Sequence, residues 1–324
     1  MRRLPSYLLY GLLWTLALLP TPLLYLFSDL LYGILYHLTG YRKKVVAENL
    51  RRAYPGRDEQ WRRRIMQRFY RHLCDLIVEE IRMIHMPTRE LLQRVEVRPA
   101  DLERFEKMKE EGLHILVGAG HYGNWEWANA FVAQTSYHVM AIYKPLRDKV
   151  VERLLSRARL RWLDEVVPLH RVYRAILSYH RQELPTLSYF ITDQTPLPYE
   201  SEYMTLFLRQ PTAVYLGIEK LARKFGDPVF FLMMKKKRRG HYLLELHECC
   251  LHPREEAPYS ITEKHVRMLE QLIDEAPEYW LWSHRRWKYT EQVLQRKNVV
   301  LSPRLRDYLS RRRNETKTLP EENV

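Results

Sequence analysis

Residues 113–128 read LHILVGAGHYGNWEWA, and the fold turns on this stretch. Its apolar run, Ile115-Leu116-Val117, is long enough for a buried strand and breaks at Gly118 and Gly120, with His121 at the break. Gly123-Asn124 then offers a helix N-cap, and Trp125-Glu126-Trp127 opens a helix expected to run to about Gln134. This reading puts an imidazole at the carboxyl end of a strand and Glu126 five residues later, on the first helical turn. In open α/β sheets the crevice at that junction is where ligands bind. A histidine backed by a carboxylate there can act as a general base, the carboxylate fixing the tautomer and stabilising the imidazolium. The bland alternative is a satisfied structural histidine, and H-x4-E spacing alone does not decide between them.

Outward from this stretch, apolar runs of strand length alternate with helical segments. The runs are residues 95–97, 138–142, 165–169, 186–192, 228–234 and 242–246; the helices include 100–111, 148–163, 172–182, 213–225 and 263–276. The alternation predicts an α/β fold, one domain with a mainly parallel central sheet flanked by helices. Before it, residues 58–86 read as a helix with Trp61, Ile65, Phe69, Leu73 and Ile77 on one face and arginines opposite. No G-x-G-x-x-G, Walker-type loop or G-x-S-x-G elbow occurs.

The N-terminal run of 25 residues, 4–28, carries no charge, more than the ~20 needed to cross hydrocarbon. Pro20 and Pro22 interrupt it, so a bent embedded anchor is as good a reading as a straight span. Arg2-Arg3 would also suit a signal peptide, but no A-x-A-like cleavage site follows. The heavier positive charge, Arg42-Lys43-Lys44 and Arg51-Arg52, lies on the C-terminal side and predicts a cytoplasmic globular part. The chain therefore divides into an anchor at 1–41, a catalytic domain at 42–301 and a basic tail at 302–324, its last dozen residues disordered. The net charge of +14 calls for an anionic partner, and on charge alone that is nucleic acid, acidic lipid or acidic protein. Cys74, Cys249 and Cys250 have no zinc-like spacing and read as reduced core thiols.

Three other segments carry chemistry. Tyr143-Lys144-Pro145 ends a strand and is followed by Arg153, Arg157, Arg159 and Arg161; Thr192-Asp193-Gln194 ends another. Residues 277–288, PEYWLWSHRRWK, set three tryptophans among a histidine and arginines, as an aromatic helix packed on the sheet would, or a site for an anion or interface. Lys235 to Arg239 form a charge run read as a hairpin turn.

Taken together, G-x-H-x-G-N-W-E, Y-K-P, D-Q and W-x-W-x-H-x-R-W-K resemble, in this order, the motifs of the bacterial lipid A biosynthesis (late, or secondary) acyltransferases. These belong to the H-x4-D/E glycerolipid-type superfamily, and the resemblance covers residues 1–290. Lys144 stands where that family usually has arginine, Arg209 where a glycine is expected and Thr212 where an alanine is. The resemblance implies an inner-membrane enzyme that faces the cytoplasm. It would move a fatty acyl chain from acyl carrier protein to a hydroxyl of a lipid A precursor, with no cofactor, no metal and no nucleic-acid partner. His121 would be the base and Glu126 would orient it. Asn124, Lys144, Asp193 and one of Arg157 or Arg159 would contact substrate. The rival readings are acylation of another glycolipid, such as a phosphatidylinositol mannoside, from acyl-CoA, and a membrane-tethered basic protein without enzymatic activity.

Overall fold

The computed structural model describes residues 4–145 and 149–317. Its core is a seven-stranded sheet in the order β1-β9-β8-β2-β5-β3-β4. The strands are β1 (Val95–Val97), β2 (Ile115–Ala119), β3 (His138–Tyr143), β4 (Glu165–Pro168), β5 (Thr186–Ile191), β8 (Val229–Arg238) and β9 (His241–Cys250). All neighbours are parallel except β8 and β9, so the mainly parallel sheet of the sequence reading is found. All five residues of β2 are buried, as in a strand covered on both faces. The sequence did not reveal a second sheet, in which β6 (Tyr203–Phe207) lies between β7 (Gln210–Ala213) and the two-residue β10 (Val300–Leu301).

The β6–β7 hairpin turns at Leu208 and Arg209, both left-handed with φ of 47° and 61°. Two positive φ values suit a primed hairpin turn, which favours glycine. This is the physical reason for a glycine at the position Arg209 holds. Arg209 ties the turn down by donating to Ala53 O at 3.0 Å.

Of the two readings of the charge-free N-terminus, the straight span is not found, and the chain breaks where the prolines predicted. Helix α1 (Leu4–Leu16) and α2 (Thr21–Tyr32) are separate, because Pro20 takes an extended conformation between them. Thirteen helical residues reach only about 20 Å against about 30 Å of hydrocarbon. Among the described residues no helix is long and apolar enough to cross a membrane. Instead α2 lies along α4 (Glu59–Met83), burying Leu24 and Ser28 while Leu23, Leu26 and Leu30 are 48%, 66% and 60% exposed.

Polar contacts make the α2–α4 seat specific. Ser28 donates to buried Asp75 at 2.9 Å, and Asp75 also pairs with Lys236 at 3.1 Å and Arg239. The lysine-rich run does lead into a hairpin, but the turn is only Arg239–Gly240; β8 extends through Arg238, and the Lys236 side chain is only 8% exposed. Helix α4 buries Ile65 and Phe69 and leaves Arg63, Arg64, Arg68 and Arg71 exposed, as its pattern predicts. All three cysteines are buried free thiols. The chain's last dozen residues begin inside a helix, Pro303–Lys317, with Leu305 buried; the disorder expected past Lys317 lies outside the described residues.

Glycine is required where the loop after β2 crosses β8. Gly123 has φ +59°, and a Cβ there would stand 2.2 Å from Met234 O. Gly123→Ala is expected to cost at least about 2 kcal/mol, whereas Gly56→Ala, with open space around it, should stay within about 0.5 kcal/mol of wild type. Thermal unfolding of both variants checks this. Equal midpoints for the two would contradict the close approach.

Candidate active site

Parallel register brings the site together. β2 and β5 pair Ala119 with Ile191, and Thr192 N donates to Ala119 O at 2.9 Å. Both strands end at this pair, so His121 and Asp193, each two residues on, leave the sheet side by side. The ring Nδ1 lies 2.6 Å from Asp193 Oδ1, and the His121 backbone N–H donates to Oδ2 at 2.9 Å. The Trp280 indole donates to the same Oδ2 at 2.7 Å. Gly120 makes room for this, since a Cβ there would meet Leu269 at 2.6 Å and Asp193 Oδ2 at 3.4 Å.

Burial would push the Asp193 carboxyl up, but the His121 charge and the three hydrogen bonds outweigh it and hold it down at about 2. An ionised Asp193 accepts a hydrogen bond from the Nδ1–H, which leaves the Nε2 lone pair facing outward. Gln194 Nε2 donates to that lone pair at 3.2 Å, marking the place an acceptor hydroxyl would take. The Trp125 ring stands edge-on to the imidazole, centroids 4.9 Å apart.

Glu126 does not orient the histidine. It is occupied by Arg159, whose Nε donates to Oε2 at 2.8 Å and whose Nη2 pairs with Oε1. The expectation fails because residues 125–128 form a 3₁₀ turn, followed by only four α-helical residues, and β5 delivers a nearer carboxylate. Asp193 is the carboxylate that meets the ring, at the place where the sequence reading put Glu126. Of the two arginines left open, Arg159 reaches the site and Arg157 is exposed. Burial, with the Glu126 charge next, pushes the Glu80 carboxyl up to about 8; Arg159 offsets part of this.

Asn124 is not open to a ligand. It is 1% exposed, its amide donates to Glu79 at 2.7 Å, and its carbonyl caps Trp127 N at 3.1 Å. Lys144 is exposed at the end of β3, on the rim of the main cavity.

That cavity, about 540 Å³, runs from His121 along Val139, Phe131, Leu187 and Leu163, with Arg159 and Lys144 among its few polar groups. A second, about 580 Å³, shares Trp125 as a wall and leads past Glu80, Ser283 and His284 to Leu35, Leu73 and Ile77. Residues 277–288 separate the second sheet from this crevice, and they are not a helix. After a single 3₁₀ turn, Pro277–Tyr279, the chain is irregular and each aromatic N–H is committed: Trp280 to Asp193, Trp282 to Pro277 O at 2.5 Å, Trp287 to Thr212 Oγ1 at 2.7 Å. The hydroxyl that departs from the expected alanine at Thr212 is thus a hydrogen-bond acceptor. Burial pushes His284 down to about 4, and its Nε2 accepts from Thr195 N at 3.4 Å. Trp280 and Gln194 are the site residues that the sequence reading did not select, although both lie inside quoted motifs.

Comparison with known proteins places the chain in a family. Residues 1–289 match the family described as bacterial lipid A biosynthesis acyltransferase. The chain is 25% identical over 281 residues to the lipid A biosynthesis lauroyltransferase of Escherichia coli K12, covering 86% of this chain and 89% of that one. It is 22% identical over 280 residues to the palmitoleoyltransferase of the same strain and, equally, to a lipid A biosynthesis acyltransferase of Shigella flexneri, each at 86% and 89% coverage. A match of this extent, over a chain that carries the paired His121 and Asp193 at an apolar cavity, shows that the protein belongs to the bacterial lipid A biosynthesis acyltransferase family.

Proposed function

We propose that this acyltransferase moves a fatty acyl group from the thioester of acyl carrier protein to a hydroxyl of a lipid A precursor, with His121 as base and Asp193 as its orienting carboxylate. The observation that carries the reading is the His121 ring, fixed through Nδ1 and meeting only Gln194 at Nε2 among the described residues, at the head of an apolar cavity. The acyl chain lies in the 540 Å³ cavity, whose volume falls within the range of small-molecule sites. The acceptor enters by the second cavity, past Trp125. Its hydroxyl displaces Gln194 from Nε2 and gives up its proton there as its oxygen attacks the thioester carbonyl. The carbon–sulfur bond then breaks, and the imidazolium returns the proton to the departing thiolate. Glu126 and Arg159 form a charge-balanced wall, and exposed Lys144 meets an anionic group of donor or acceptor.

The reading also seats the protein on the cytoplasmic face of the inner membrane. Leu9, Leu12, Trp14, Leu18, Leu23, Leu26 and Leu30 are all exposed on α1, α2 and their junction, as on a helix pair that lies in a membrane interface. Insertion parallel to the surface suits two short helices better than a span does.

Two measurements test this. His121→Ala and Asp193→Asn should each lower thioester turnover by about 10²–10⁴-fold with the fold retained, since the first removes the base and the second its tautomer control. Purified variants assayed with acyl carrier protein and lipid A precursor decide it, and turnover near wild type in His121→Ala would remove the mechanism. Replacing both Leu26 and Leu30 by Glu should weaken sedimentation with anionic phospholipid vesicles by roughly tenfold or more, because two buried leucines contribute about 3–6 kcal/mol. Undiminished sedimentation would rule out this docking face.

A further inference from the structure

Besides the bonds of His121 to Asp193, the loop that carries His121 is held on two sides. On one side it pairs with the C-terminal stretch: Gly123 N donates to Tyr279 O at 3.0 Å and Leu281 N to His121 O at 3.1 Å. On the other it depends on a single carboxylate, Glu79 of α4, which is 1% exposed and lies outside the machinery described so far. Glu79 Oε2 accepts from Asn124 at 2.7 Å and from the Tyr242 phenol at 2.8 Å. Its Oε1 accepts from the Tyr25 phenol of α2 at 2.7 Å. Asn124 cannot turn to another acceptor without releasing the Trp127 N–H that its carbonyl caps.

The route from Tyr25 to Glu79 is built into the backbone. Tyr25 reaches over the β8–β9 turn at Gly240, where φ is +70° and a Cβ would stand 2.1 Å from the phenol oxygen. Only glycine leaves this passage open. Arg239, beside it, lies over the Tyr25 ring at 4.5 Å and pairs with Asp29 of the same helix.

We infer that Glu79 is a positioning residue that fixes the His121 loop through Asn124 and makes its position depend on the seat of α2. This rests on the reading of His121 as the base. A loop displaced by even 1 Å can cost ~10²-fold in rate while leaving substrate binding intact. The consequence is that a phenol on a peripheral apolar helix sets the rate of a reaction in which it takes no part.

Three variants of the full chain test it: Glu79→Leu, Glu79→Gln and Tyr25→Phe, assayed for kcat and KM well below their unfolding midpoints. Glu79→Leu should lower kcat roughly tenfold or more with KM within about twofold, because no acceptor is left for Asn124. Glu79→Gln, whose carbonyl still accepts from Asn124, should stay within about threefold of wild type, and Tyr25→Phe should lose about two- to fivefold in kcat. A structural contact alone would shift unfolding temperature and leave this kcat-against-KM split unmoved. Wild-type kcat in Glu79→Leu or Tyr25→Phe overturns the inference, as does a loss in Glu79→Gln as deep as in Glu79→Leu. Should Glu79→Leu fail to fold, Tyr25→Phe decides by the same criterion. If wild-type protein itself transfers no acyl group to a lipid A precursor, it is the proposed function that fails.

Discussion

A buried ionised carboxylate is expensive unless donors surround it, and Asp193 has three: the His121 ring, the His121 amide and the Trp280 indole. These join β5, the loop after β2 and the C-terminal stretch at one atom pair. The geometry follows from the strand register rather than from local sequence. Because the folded carboxyl lies at about 2 against an ordinary 3.8, the cluster stabilises the fold above that ordinary value and releases it only as pH falls through about 2. The site is therefore held together by the same interaction that fixes the His121 ring.

Around this point the polar groups are sorted by burial. Glu126 and Arg159 neutralise each other at the cavity wall, Asn124 is consumed by Glu79 and a cap, and Lys144 stays at the rim. Facing the cavities are the Nε2 of His121 with Gln194 beside it, Trp125 between the two, and a largely apolar surface. Such a lining suits a long hydrocarbon chain on one side and a lipid acceptor on the other.

Much of this was legible before the structure. Strand runs such as 138–142 and 186–192 and the helix of residues 59–83 follow from apolar periodicity, which burial enforces directly. The position of His121 at a strand end follows from Gly118 and Gly120. What could not be read was long-range. Nothing between residues 121 and 193 says that β2 and β5 are neighbours, so the nearer carboxylate in sequence, Glu126, was assigned to the ring. The same limit hid the role of Trp280, 87 residues from Asp193, and the seat on α4 of the two N-terminal helices, although Pro20 already marked the break between them. Mean apolarity could not distinguish a span from a pair of surface helices; Pro20 and the polar face of α2 did.

The central claim is the state of one ring. Nitrogen NMR of the protein carrying ¹⁵N-histidine, at mildly alkaline pH and with His121→Ala used to assign the signal, reads the tautomer of His121 directly. The Asp193 bond predicts a protonated Nδ1 and a bare, pyridine-like Nε2. A His121 signal with the proton on Nε2 would contradict it, since that ring could neither donate to Asp193 nor accept a hydroxyl proton from the cavity.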